Sequence, residues 1–101
     1  MTPIQIDAAA QLLKKARLEK SVIENIPFEF RPQSLKEAYR VQDRLIEILG
    51  LETSGWFCAC TNKRIQQILK LDEPYYARLL KGYVFEAPMT LKSKDYPPIV
   101  I

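Results

Sequence analysis

The residue types able to do chemistry in this chain are few, and the missing ones narrow its reactions first. Histidine is absent from all 101 residues, which removes Ser-His-Asp triads, Cys-His pairs, HExxH zinc sites and histidine general bases together. The only two cysteines, Cys58 and Cys60, stand two apart in a strand-like run. That spacing points both to one face, so they cannot readily bridge each other. A structural zinc site needs about four ligands, and no CxxC or histidine supplies the others. Both thiols therefore read as small buried hydrophobes in a reducing compartment. The three glycines, Gly50, Gly55 and Gly82, are too scattered to form GxGxxG or a P-loop, which excludes nucleotide binding by those routes.

Charge excludes further classes. Fifteen basic against twelve acidic residues give a net charge of +3, dispersed along the chain. Lys63-Arg64 and the pair Lys92/Lys94 are small basic clusters, and neither makes the one-sided basic stripe of a nucleic-acid footprint. The carboxylates Glu86 and Asp95 read as solvated loop acids. No run approaches the ~20 apolar residues of a membrane span. The N-terminus lacks the basic-then-apolar order of a secretory signal. A cytoplasmic protein follows, with neither nucleic acid nor membrane as partner.

These residues must be held by a small scaffold. With 48% hydrophobic and 27% charged residues, the composition is that of one ordinary globular domain over 1–101. A chain of this size buries roughly 60–70% of its unfolded surface, a modest core with little room for a deep enclosed site.

Thr2-Pro3 predicts an N-cap with proline at the first helical position. Ile6, Ala9, Leu12, Leu13 and Ala16 form the apolar stripe of the helix that follows, with Lys14, Lys15, Arg17 and Lys20 opposite. Pro27 and Pro32, flanking Phe28 and Phe30, predict an extended connector pinned by aromatics. Ser34 and Glu37 have the spacing of a capping box. They open a second helix whose buried stripe is Ala38, Val41, Leu45, Ile48 and Leu49, and which Gly50 closes.

Thr53 to Cys60 predicts a short buried strand. Thr61 or Asn62 caps a third helix with Ile65, Ile68 and Leu69 inward and Lys63, Arg64, Gln66, Gln67 and Lys70 outward, ended by Asp72-Glu73-Pro74. Tyr75 to Leu80 reads as one or two helical turns closed by Gly82, Tyr83 to Glu86 as extended, and Ser93 to Pro98 as a turn-rich loop. Ile99-Val100-Ile101 reads as the opening of an apolar strand able to pair with another chain. The expected fold class is α+β, a helical segment of three to four helices with short strands.

Several of these residues, taken in order, resemble the N-terminal segment of the 2-keto-4-pentenoate hydratase and 4-oxalocrotonate decarboxylase family, in the fumarylacetoacetate hydrolase superfamily. They are Leu35-Lys36-Glu37-Ala38-Tyr39-Arg40-Val41-Gln42, Gly55-Trp56, Thr61-Asn62, Gln66, and Asp72-Glu73-Pro74 with Tyr76 beyond. The resemblance runs over essentially the whole chain. It implies a leading segment of a longer lyase, a fragment that lacks the downstream β-rich catalytic domain and is inactive alone.

The parent reaction implied is metal-dependent hydration or decarboxylation of small 2-oxo or 2-hydroxydienoic acids in aromatic catabolism. Magnesium or manganese, held by carboxylates, serves there as Lewis acid. The family's first metal glutamates follow a context that corresponds here to Pro98-Ile99-Val100. Either Ile101 occupies the first ligand position or that glutamate comes next. No catalytic residue and no metal ligand is assigned within this chain, and its cofactor is none.

Two positions depart from the family pattern. Phe57 stands where the family commonly has a lysine able to meet a substrate carboxylate, and Ala77 replaces a frequent glycine. The resemblance makes Phe57 and Tyr76 walls of the substrate pocket. The alternative is a non-catalytic interaction module on the same scaffold, associating through the apolar terminal residues.

Overall fold

The computed structural model describes residues 1–96, and these form an α+β arrangement of three α-helices with one two-stranded antiparallel sheet. The single domain expected over 1–101 is organised as two compact units: a helical unit, Met1–Gly50 with a return at Glu86, and a ribbon unit, Leu51–Phe85. The apolar strand expected at Ile99-Val100-Ile101 lies outside the described residues.

Helix α1 spans Pro3–Glu19 and begins on a full capping box. The Gln5 N–H donates to Thr2 Oγ1 at 3.2 Å, and the Thr2 N–H donates to Gln5 Oε1 at 2.8 Å. Two of the helix's otherwise orphaned donors are thereby satisfied. Its C-terminus closes at Lys20, in the left-handed region at φ 54°, with the Ser21 N–H donating to the Ala16 carbonyl at 2.9 Å. That is the six-to-one bond of a Schellman end.

Helix α2 spans Leu35–Leu49 and ends on Gly50 at φ 67°, the backbone region that glycine enters without a Cβ penalty. Ser34 Oγ accepts from the Glu37 N–H as the spacing predicts. The reciprocal half of the box differs: Glu37 Oε2 accepts from the N–H of Gln33, one residue further upstream.

Ile6, Ala9 and Ala10 of α1 meet Val41 of α2 in the buried core, and Leu13, Ile26, Phe30, Leu45 and Ile48 are packed partly buried against them. The two alanines are fully buried, and side chains this small allow close approach of the helix axes. Of the two aromatics expected to pin the connector, only Phe30 packs on this core, in a 3-10 turn at Phe28–Phe30. Phe28 is 74% exposed.

The ribbon unit departs furthest from expectation. Strand β1 spans Thr53–Ala59 and pairs antiparallel with β2, Tyr75–Leu80. The helical turns expected over Tyr75 to Leu80 are therefore a strand. Ala, Arg and two Leu favour helix locally, yet the partner edge of β1 takes up their backbone groups, and strand formation follows such cross-strand pairing more than intrinsic preference. Tyr83 to Glu86 forms no strand. Between Thr53 and Gly55 the register advances two residues on β1 against one on β2, the count of a β-bulge.

Helix α3, Lys63–Ile68, joins the two strands and is capped by Asn62, whose Oδ1 accepts from the Ile65 N–H at 2.9 Å. Its expected inward face is reversed. Ile65, Ile68 and Leu69 are exposed, whereas Gln66 is half-buried and donates from Nε2 to the Cys60 carbonyl at 2.9 Å. A six-residue helix in so small a unit has too little neighbouring surface to bury an aliphatic stripe.

Candidate functional site

Alternation along a strand decides which side chains of the ribbon meet. The register sets Trp56 opposite Arg78 and Cys58 opposite Tyr76 on one face, with Phe57 opposite Ala77 on the other. On the first face the Trp56 and Tyr76 rings stand edge to face, centroids 5.3 Å apart and planes inclined by 69°. Arg78 lies over the indole, its Cζ 4.9 Å from the ring centroid, and donates from Nη2 to Thr53 Oγ1 at 3.2 Å. Both ring contacts are the favoured electrostatic geometries for a quadrupole meeting a ring edge or a cation.

Phe57 and Tyr76, expected as two walls of one pocket, thus lie on opposite faces of the ribbon, and the structure does not bring them together. Both are exposed, at 46% and 38%. Sequence reasoning missed Arg78 as the partner of this aromatic face. A helical reading of Tyr75 to Leu80 hides this signal, because only the strand register makes residues 56 and 78 neighbours.

The cysteines also separate. Cys58 is exposed on β1, whereas Cys60 is buried beyond the end of the strand, in the left-handed region at φ 60°. The shared face expected from their spacing is lost because the strand stops at Ala59. Only Cys60 fits the expectation of a small buried hydrophobe.

Among the described residues, open hollows mark the helical unit. One, of about 460 Å3, is lined mainly by Asp7, Arg40, Asp43, Arg44 and Glu47. Arg44 is its centre: Nε donates to Asp7 Oδ1 at 2.8 Å and Nη1 to Glu47 Oε1 at 3.1 Å. These hydrogen bonds, with Asp7 the larger cause and Glu47 next, hold the guanidinium above its ordinary pKa. The charges of this hollow oppose one another, so it presents no single-sign field to a small anion or cation. The second hollow, of about 530 Å3, is bordered by Gln5, Phe28, Arg31 and Glu37, where the Met1 amine stands 3.7 Å from Glu37 Oε1. Neither hollow includes Phe57 or Tyr76.

Magnesium or manganese takes several oxygen ligands converging on one point. Among the described residues no three His, Cys, Asp or Glu side chains stand together in such an arrangement. In the first hollow, Asp7 and Glu47 are already engaged with Arg44. The described residues therefore do not fit the metal that the family resemblance implies, and Glu86 and Asp95 are both exposed without being gathered into a site. No helix among the described residues is long and apolar enough to cross a membrane.

No family model matches this chain, and no curated protein matches it.

Proposed function

We propose that this chain is the leading α+β segment of a protein related to 2-keto-4-pentenoate hydratase and 4-oxalocrotonate decarboxylase, a cytoplasmic lyase of aromatic catabolism acting on small 2-oxo or 2-hydroxydienoic acids. On this reading the 101 residues serve as scaffold and are inactive by themselves. One observation carries the proposal: the resembling residues coincide with the joints of the fold. Leu35 to Gln42 opens α2, Gly55-Trp56 lies in β1, Asn62 caps α3, Gln66 ties α3 to Cys60, and Asp72-Glu73-Pro74 leads into β2.

The chemistry expected of the parent is enolate stabilisation by magnesium or manganese, with the metal's carboxylates outside the described residues. Phe57 offers neither charge nor proton at the position where the resemblance expects lysine, so substrate carboxylate recognition falls to other groups.

The assay is turnover of a 2-hydroxypentadienoate-type acid with magnesium or manganese. No turnover by the 101-residue chain is expected, and robust turnover overturns the scaffold reading. Reading the gene past Ile101 separates this reading from the module reading below: an acidic pair within a few codons means a truncated enzyme, and an immediate stop codon means a free-standing module.

A second reading, a non-catalytic interaction module, draws on one feature of the ribbon unit. Trp56 is 59% exposed, Ile68 65% and Leu69 51%, and apolar surface of this kind marks association sites when it is contiguous. Self-association through the apolar residues Ile99-Val100-Ile101 belongs to this reading. Sedimentation showing a monomer at high concentration counts against it.

A further inference from the structure

We draw no further inference here: the strongest candidate, the aromatic and cationic face of the ribbon around Trp56, Tyr76 and Arg78, is a sheet face, and nothing in the structure shows what covers it.

Discussion

Arg78 faces Trp56 directly across the ribbon and holds its guanidinium carbon 4.9 Å from the indole centroid. The two residues are joined by strand register alone, from segments separated by the whole of α3. A cation over a half-exposed indole contributes about 0.5–1 kcal/mol. A double-mutant cycle of Trp56→Leu and Arg78→Met, followed by circular dichroism during chemical unfolding, is expected to return a coupling of that size. Additive single effects would show that the stacking contributes nothing to the ribbon.

Gln66 closes the other side of the same unit. Its amide donates to the carbonyl of Cys60, a residue already held in left-handed backbone. Gln66→Leu removes the donor while keeping side-chain bulk, and the loss of a part-buried hydrogen bond of this kind costs about 1 kcal/mol. Trp56 is the only tryptophan, so its fluorescence reads the ribbon unit selectively. The expected result is an earlier unfolding midpoint by fluorescence in the variant than in the parent chain.

The two thiols should differ in reactivity because their exposure differs. Cys58 is open to solvent and Cys60 is buried. A thiol reagent added to the folded chain is expected to modify Cys58 rapidly and Cys60 only after denaturant is added. Peptide mapping of the early product checks the assignment, and equal early labelling of both would contradict the described backbone at Cys60.

Arg44 ties Asp7 of α1 to Glu47 of α2. Its pKa is raised in the fold by the Asp7 and Glu47 hydrogen bonds. A cation with a raised folded-state pKa contributes its full stabilisation below its unfolded value and loses it only as pH climbs through the higher folded value. That window lies in strong alkali, so the stability difference between the parent chain and Asp7→Asn should be flat from about pH 6 to pH 9. The same difference should shrink as salt rises, because the pair is solvent-accessible and screened. Thermal unfolding across pH and sodium chloride concentration measures both.

Phe57 and Tyr76 show where sequence reasoning stops at the candidate site. Each residue is expected as a wall of the substrate pocket, but whether two aromatics share a wall depends on strand parity. Once Tyr75 to Leu80 is a strand paired to Thr53–Ala59, residues 57 and 76 fall on opposite faces. Ile68 and Leu69 make the same point for burial. Helical spacing names a stripe, and only the mass of neighbouring structure can cover it.

The sequence by itself determined the helical unit, because its signals are local. Thr2 and Ser34 cap helices through bonds reaching three residues along the chain, Gly50 takes φ 67° without a Cβ conflict, and the stripes containing Ile6 and Ala9 in α1 and Val41 in α2 follow from 3.6-residue periodicity. Tertiary structure alone decided the ribbon: the strand state of Tyr75–Leu80, the stacking of Arg78 on Trp56 and the inward turn of Gln66. The first two depend on hydrogen bonds or contacts between segments distant in sequence, where non-local pairing outweighs the fraction of a kcal/mol per residue that local preference supplies, while Gln66 turns in on a carbonyl six residues back that periodicity does not foresee.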